Sequence, residues 1–548
     1  MSAAKPIKRL AMVGWYDPPV LAHSAYQVAI ANVFGRHSDT RLIEALASQP
    51  QSEFDYSAAE GDFWFDYVAD TGDGWNSTYA IADAVATGQL EIAGLDERTQ
   101  PGRVLIFGGD EVYPYPSRAD YDVRTETPYR QAFAGRAKPD VYAIPGNHDW
   151  YDSLVAFSRL FCRPERGFAG CATHQTRSYF ALKLPANWWL MAIDLQLGAD
   201  LDEPQVKYFQ RIAADMDANA KLIFCVPEPR WILEDAYPAH GYDELTTTRF
   251  LEDNVFKRKA RVFLTGDLHF YKRHENAEGV QKITSGGGGA FLHPTHAPDT
   301  HKLVNGFEQR AAYPDEKTSR RLSWKNFLFP FFNPKSGWLY AFVYAMSAWL
   351  ASAGLGAADV TDLPTAMGAA LNAAIRDPLN GMWLVLIVGG FIFFTDTHVR
   401  TWRIVGGACH AILHLAAAFA VGWLALLITR DGFGLRYGAT LQLLLSGVIT
   451  FTLGGPVGSF ILGLYLFISI RVFGRHGNEA FSSLRIEDYK EWLRLRIAPD
   501  GTLTIFAIAI DRVPRRWRDS IRGGEPTSVA DDARASAPRL IDKVVVKP

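Results

Sequence analysis

Cysteine is scarce: Cys162, Cys171, Cys225 and Cys409 are the only four in 548 residues. None stands in Cys-x-x-Cys spacing, which excludes a zinc knuckle and a disulfide-dense scaffold. Cys162 and Cys171 read as two reduced thiols of one loop, able to pair only in an oxidising compartment. An excess of charge of either sign is also missing. Lys and Arg number 56 against 59 Asp and Glu, a net charge of −3, so no basic field points to nucleic acid. Local runs such as Arg320-Arg321 and Arg515-Arg516 suit solvated or membrane-flanking positions. No cleavable apolar stretch follows the short basic start Met1–Leu10, so no signal peptide is expected. What the chain does have is apolar bulk, 48% hydrophobic and 13% aromatic. That excludes a disordered protein, and the length calls for two or more structural units.

Up to about Ser336 no apolar run is long. Phe63–Ala69, Val104–Gly108, Val141–Pro145, Leu222–Val226 and Arg261–Thr265 are short, rich in Val, Ile and Phe, and end at Gly, Asp or Pro. They read as buried strands with loops at their C-terminal ends. Helical segments such as Thr78–Ala86 and Val206–Asn219 lie between them, so the fold class is α/β. The expected division is an N-terminal extension (1–60), an α/β domain (61–330), an apolar region (337–473), a hairpin segment (474–522) and a flexible tail (523–548). Within the extension, Trp15–Pro19 and the apolar positions of Val20–Phe34 predict a turn and a helix.

The apolar region holds Trp338–Leu355, Met382–Phe394, Val405–Ile428 and much of Leu441–Phe473. A helix needs roughly 20 residues to span a bilayer, and four such segments so close together leave too little polar surface for a soluble bundle. About four spans are expected, the last kinked or split at Gly454-Gly455-Pro456. Lys317, Arg320, Arg321, Lys325, Lys335, Arg400, Arg403, Arg471 and Arg475 fall on one side, against Arg376, Arg430 and Arg436 on the other. This predicts a multi-pass membrane protein with the α/β domain and the C-terminus cytoplasmic. Trp492–Ile497 and Thr502–Ile510, joined by Pro499-Asp500-Gly501, read as a β-hairpin. An isolated hairpin is marginal in water, so it is expected to add to the N-terminal sheet.

The strongest local signal is Gly146-Asn147-His148-Asp149, directly after Val141–Pro145. Asp70-Thr71-Gly72 follows one strand, Gly109-Asp110 another and Gly266-Asp267-Leu268-His269 a third. Each puts an oxygen or imidazole donor at the C-terminal end of a strand, where ligands distant in sequence converge. In this order the motifs resemble the calcineurin-like metallophosphoesterase superfamily, over roughly Phe63 to Thr295 and the hairpin. The strand pair Ser178–Leu184 and Trp188–Leu195 and the run Gly286–Gly289 are similar features.

The resemblance implies a four-layer α/β/β/α sandwich beside a transmembrane helical region. It also implies two divalent or trivalent metal ions (Mn, Fe, Zn or Mg), and hydrolysis of a phosphomonoester or phosphodiester by a metal-bridging hydroxide. By resemblance Asp110 bridges the metals, Asp70 and His269 complete one site, and Asn147 enters the second. His148 stabilises the transition state or protonates the leaving oxygen, with Asp149 orienting it. Asp-Thr-Gly at the first motif is similar to the purple acid phosphatase branch, where a tyrosine three residues after the bridging Asp binds iron. Tyr113 holds that position.

Two departures fall on the second metal site. Pro227 stands where the family usually has a His ligand, beside Glu228. Asp267 replaces the first His of Gly-His-x-His, and an oxygen-rich site favours Mn, Mg or Fe over Zn. Arg230 and Arg273 are candidates for holding a substrate phosphate. His293 and His296 flank the glycine run, and His410 and His414 lie four apart in an apolar helix. The expected function is that of a membrane-anchored metal-dependent phosphoesterase. Its partners would be a phosphoester (a lipid-linked phosphate among the candidates) and membrane lipid, with no nucleic acid. The alternative, which Pro227 favours, is an inactive metal- or phosphate-binding membrane sensor or scaffold.

Overall fold

Strand β2 (Phe63–Val68) is buried at every position, and its period of two divides it between two apolar cores. Phe63, Phe65 and Tyr67 enter one core, while Trp64 and Val68 enter the other. The computed structural model describes residues 7–30, 51–95, 97–195, 201–236, 244–304, 306–353, 355–356, 360–395, 399–532 and 537–548. They fall into two units, one of which contains residues 22–319 and 485–548, the other residues 320–484.

In the first unit β2 lies beside β3 (Val104–Phe107) and β4 (Asp140–Ala143), all parallel. On its other side come β12 (Lys490–Ile497), β13 (Leu503–Ile510) and β16 (Arg539–Val546), each antiparallel to its neighbour. The hairpin strands β12 and β13 therefore sit inside the six-stranded sheet β16-β13-β12-β2-β3-β4. Residues 320–484 of the second unit interrupt the chain between two parts of this one fold.

A second sheet has eight strands. It runs from β1 (Phe54–Asp55), β5 (Phe180–Lys183), β6 (Trp188–Ala192) and β7 (Lys221–Cys225) to β8 (Ala260–Thr265), β10 (Gln281–Ser285), β9 (Tyr271–Glu275) and β11 (Glu308–Tyr313). Phe180, Leu190, Ile223, Leu264 and Ile283 share one core with Phe65, Tyr67 and Ile106 of the first sheet. The helix Trp75–Ala86 packs into the core on the other face of β2, and Glu203–Ala214 packs into a third core with Trp189 and Phe224.

Two boundaries differ from the sequence expectation. The tail from 523 is not loose where it is described. Strand β15 (Glu525–Ala530) pairs with β14 (Trp517–Arg522), and β16 pairs with β13 because Val544 and Val546 alternate into the shared core. The end of the extension, residues 51–60, also joins the fold. Phe54 and Asp55 pair with Leu182 and Lys183, and the buried Gln51 side chain bonds to the backbone of residues 176, 177 and 179. The expected helix covers Pro18–Ile30, and its continuation to Phe34 lies outside the described residues.

The second unit holds the helices Ser336–Ala353, Leu363–Arg376, Pro378–Phe394, Arg400–Leu427 and Thr440–Phe473. Among the described residues, two helices are long and apolar enough to cross a membrane, Arg400–Gly432 and Thr440–Phe473. A third candidate is the pair Leu363–Arg376 and Pro378–Phe393, bent by 97°. The break follows from Asp377-Pro378, since the residue before a proline is driven out of helical conformation. Asp377 then caps the next helix through the Leu379 N–H, at 3.0 Å. By length and composition, the candidates among the described residues thus number two, or three with the bent pair, against the about four spans expected from the sequence. The last helix runs unbroken through Pro456.

Candidate metal centre

Parallel strands deliver their C-terminal loops to one edge of a sheet. Asp70 follows β2, Asp110 follows β3, Asn147 and His148 follow β4, and Asp267 and His269 follow β8. Asp70, Asp110 and Asp267 have φ of 57°, 54° and 67°. That left-handed conformation is costly for most side chains and tolerated best by Asp and Asn. Two glycines show how closely the backbone is drawn in. A Cβ on Gly146 would lie 2.1 Å from Asp110 Oδ1, and one on Gly286 would lie 2.4 Å from Asp70 Oδ2.

The Tyr113 hydroxyl is the hub. It lies 3.0 Å from Asp70 Oδ1, 3.2 Å from Asp110 Oδ2 and 3.0 Å from His269 Nε2. His269 Nε2 is also 3.5 Å from Asp70 Oδ1. On the far side of that ring, Nδ1 is 2.7 Å from the Phe291 carbonyl. A carbonyl only accepts, so Nδ1 carries the proton and Nε2 turns its lone pair to the cluster. Asp70 Oδ2 is buried and accepts no hydrogen bond.

Among the described residues, His, Cys, Asp and Glu side chains alone make no group of three or more that could hold an ion. The Tyr113 phenol is what joins the two carboxylates to the imidazole. Donors bound cis to a six-coordinate cation at about 2.1 Å are themselves about 3.0 Å apart, which is the spacing around Tyr113. The donor set and the orphaned Asp70 Oδ2 fit such an ion. Electrostatics point the same way. Burial pushes the carboxyls of Asp70, Asp110 and Asp267 well up, helped at Asp110 by Asp70 and at Asp267 by Glu228. Burial also holds His269 down to about 3. Buried acids pressed together call for positive charge.

The His148 N–H donates to Asp110 Oδ1 at 2.8 Å, and ring Nδ1 is 2.8 Å from the Pro114 carbonyl. As at His269, the carbonyl on Nδ1 puts the proton there and the lone pair on Nε2. Burial lowers His148 to about 4, so the imidazole is neutral. Asn147 donates through Nδ2 to the Tyr151 hydroxyl at 3.2 Å.

The carboxylate of Asp149, the residue expected to orient His148, reaches the backbone of both neighbouring loops. It accepts from the Gly146 N–H at 2.8 Å, the Glu111 N–H at 3.3 Å and the Tyr121 hydroxyl. It holds the loops that carry Asp110 and His148, and the Pro114 carbonyl fixes the His148 ring.

On the side of the departures, a Cβ at Gly109 would be 3.5 Å from the Pro227 ring, so Pro227 does lie against the metal-motif loops. Glu228 raises Asp267 electrostatically and pairs with Arg230 at 2.8 Å. Arg273 is engaged elsewhere. Its guanidinium is 2.6 Å from Asp542 on β16 and bonds to Glu275 and Gln281, because its position on β9 directs it across to that strand.

Sequence reasoning missed the support from β12. Lys490 Nζ donates to the Ala290 carbonyl at 2.5 Å, and the Ala290 N–H donates to the Asp70 carbonyl at 2.9 Å. Glu491 accepts from the Gly287 N–H at 2.7 Å and the Ser285 hydroxyl at 2.6 Å. Burial lowers Lys490 to about 8 and raises Glu491 to about 7. The hairpin pattern was the only signal that pointed to this strand. His293, flanking the glycine run, stacks on His269 with ring centroids 3.9 Å apart.

No protein-family profile matches the sequence, and no curated protein matches it. Among solved structures the chain is similar to GAP50, the anchor in the inner membrane complex of Plasmodium, at 11% identity and TM-score 0.30, over 45% of this chain and 78% of that one. It is also similar to purple acid phosphatase PPD1 from yellow lupin (Lupinus luteus) seeds, at 15% identity and TM-score 0.31, over 45% of this chain and 48% of that one. With PhoD the figures are 12% identity, TM-score 0.26, and 44% and 60% coverage. The chain thus spans about half the length of the lupin phosphatase.

Proposed function

We propose that this chain is a metal-dependent phosphoric ester hydrolase, built on an α/β/β/α sandwich and anchored in a membrane by its long apolar helices. The observation that carries the reading is the Tyr113 hydroxyl, held at cis-ligand distances from Asp70, Asp110 and His269. Asp70, Asp110, Tyr113 and His269 would hold one cation, with Asn147 and Asp267 on the side of a second. Bound cations of the Mn, Fe, Zn or Mg kind would neutralise phosphoryl oxygens and activate water.

The chain's own residues do the rest. His148, fixed at Nδ1 by Pro114, offers a neutral Nε2 to the substrate, where an anionic phosphoryl group raises its affinity for a proton. It can then donate to a phosphoryl or leaving oxygen. Arg230, oriented by Glu228 at 2.8 Å, would meet a phosphate oxygen. The substrate is a phosphomonoester or phosphodiester, and an anchored site gives a lipid-linked phosphate ready access. The basic residues flanking the apolar helices support a cytoplasmic catalytic unit.

A second reading, a sensor that binds metal or phosphate without turnover, is favoured by Pro227, which supplies no ligand. One experiment separates the two. Detergent-purified protein is assayed for phosphatase and phosphodiesterase activity, metal-free and with Mn, Fe, Zn or Mg, beside Asp110→Asn and His148→Ala. Metal-dependent turnover lost in both variants supports the enzyme. One metal per chain and no turnover on any generic substrate supports the sensor.

A further inference from the structure

Residues 320–338 (Arg-Arg-Leu-Ser-Trp-Lys-Asn-Phe-Leu-Phe-Pro-Phe-Phe-Asn-Pro-Lys-Ser-Gly-Trp) contain four basic residues and no acidic one. They form the short helices Ser323–Leu328 and Phe329–Phe332 and run into the helix Ser336–Ala353. Their amphipathicity is inverted. Ser323, Asn326, Asn333 and Ser336 are buried together with Phe329, whereas Trp324, Leu328, Phe331 and Trp338 are 54%, 47%, 79% and 68% exposed.

The polar face is inside for a definite reason. Asn326 Nδ2 donates to the Ser323 carbonyl at 3.0 Å, Ser483 Oγ lies 3.2 Å from Asn326 Oδ1, and Asn333 Nδ2 donates to the Ser483 carbonyl at 3.0 Å. The segment is also pressed onto the helix Thr440–Phe473. A Cβ on Gly463 would lie 2.2 Å from the Asn326 carbonyl oxygen, and the Trp324 and Phe327 rings pack tilted against Phe467 with centroids 4.6 and 4.7 Å away. The exposed aromatics are therefore fixed by the fold and not left over by a loose loop.

Arg321 and Lys325 fall at helical spacing in the same exposed stripe as Trp324 and Leu328. Lys335 continues the stripe and pairs with Asp17 at 2.6 Å. An inverted face is unfavourable against water and favourable against lipid. Tryptophan interleaved with basic residues suits the depth where acyl chains meet headgroups.

We propose that the stripe Arg321–Trp324–Lys325–Leu328–Phe331 is an interfacial anchor, with its aromatic face at the headgroup–acyl boundary of a bilayer carrying anionic phospholipid. Arg321 and Lys325 take the headgroup phosphates. The inference rests on the reading of Arg400–Gly432 and Thr440–Phe473 as membrane-spanning.

The test uses the full chain in nanodiscs of phosphatidylcholine, with and without phosphatidylglycerol. Cys162 and Cys409 are replaced by Ala, the buried Cys171 and Cys225 stay, and a spin label is placed at Phe331→Cys or, on the long helix, at Leu444→Cys. Collision with oxygen against a water-soluble nickel chelate reads depth at each. Spin-labelled lipids read the preference for phosphatidylglycerol in the Phe331 protein and in Arg321→Gln/Lys325→Gln. Both labels should be shielded from nickel, the one at 331 at the shallower depth, and the double substitution should lower the preference about five-fold or more. A nickel-accessible label at 331 beside a shielded one at 444 overturns the anchor and leaves the spans standing. Nickel access at both overturns both readings. A shielded label at 331 with an unchanged lipid preference overturns the role of Arg321 and Lys325.

Discussion

The phenol oxygen of Tyr113 and Nε2 of His269 are 3.0 Å apart, and the Phe291 carbonyl on Nδ1 fixes which His269 nitrogen faces the phenol. Tyr113→Phe removes the one group that touches Asp70, Asp110 and His269 together while keeping the buried ring. The fold is expected to survive, with metal affinity falling at least about ten-fold. Titration of the apo protein with Mn or Fe, followed by calorimetry, checks this. Unchanged affinity would reduce Tyr113 to a packing residue.

The His148 ring is held at Nδ1 by the Pro114 carbonyl and lies outside the donor set around Tyr113, so His148→Asn should leave metal content intact. The kcat is expected to fall by about 10²–10⁴ with little change in KM. Because burial keeps this imidazole near 4 in the free protein, the kcat/KM profile should show its inflection there and none from this group between pH 5 and 8. The comparison is a pH profile of the parent against the variant. An inflection near 6.5 that disappears in His148→Asn would contradict the buried, neutral assignment.

Much of the cluster was legible in the sequence because it sits where local signals are strong. Asp70, Asp110 and His269 each follow an apolar run that stops at Gly or Asp, a pattern that marks the end of a buried strand. Side-chain direction has no such signature. Asp149 is adjacent to His148, yet the turn sends its carboxylate to Gly146 and Tyr121. Arg273 is two residues beyond a buried tyrosine on one strand, and the alternation that buries Tyr271 also brings Arg273 to Asp542, 269 residues away. Lys490 is one lysine at the start of an apolar strand, and only the pairing of that strand with β2 gives it a part in the site. The bend at Asp377-Pro378 was likewise visible as residues but not as geometry, so the stretch Met382–Phe394 was read without the helix Leu363–Arg376 that precedes it across the bend.

Glu491 joins the C-terminal hairpin to the glycine run, and burial raises its carboxyl from 4.5 to about 7. A carboxyl raised in the folded state keeps its proton there after the unfolded chain has lost it. Stability therefore falls as pH rises from about 4.5 to about 7 and levels off above that. The full difference is on the order of 3 kcal/mol. Glu491→Gln should keep contacts to Gly287 and Ser285 and abolish this slope. The variant is expected to melt higher than the parent at pH 8, with the gap closing towards pH 4.5. Thermal melts of both proteins across that range decide it, and parallel curves would rule out Glu491 as the titrating group.

Asp66 on β2 and Arg494 on β12 form a buried ion pair, with Nε 2.7 Å from Oδ1, and Arg494 also bonds to Thr99 and the Val85 carbonyl. Breaking a buried pair from one side costs about 3–5 kcal/mol because a charge is left uncompensated, but the two sides are not equivalent. Arg494 cannot shed its proton, so Asp66→Asn strands a cation at every pH. Asp66 can take one up, and burial already raises its carboxyl despite the arginine. Arg494→Met removes the largest of the contributions that oppose that rise and leaves the Gly102 N–H and Trp492, so the carboxyl is driven further towards its neutral form in the fold. Its cost should be small near pH 4 and grow as pH climbs, since the unfolded chain then releases a proton the folded chain retains. The cost of Asp66→Asn should shrink over the same range, because only the parent carries the raised carboxyl. Denaturant unfolding of both variants at pH 5 and pH 8 tests the asymmetry. Equal pH dependence in the two would mean that the pair is hydrated, and that the hairpin strand is held to β2 by its backbone ladder and apolar face alone.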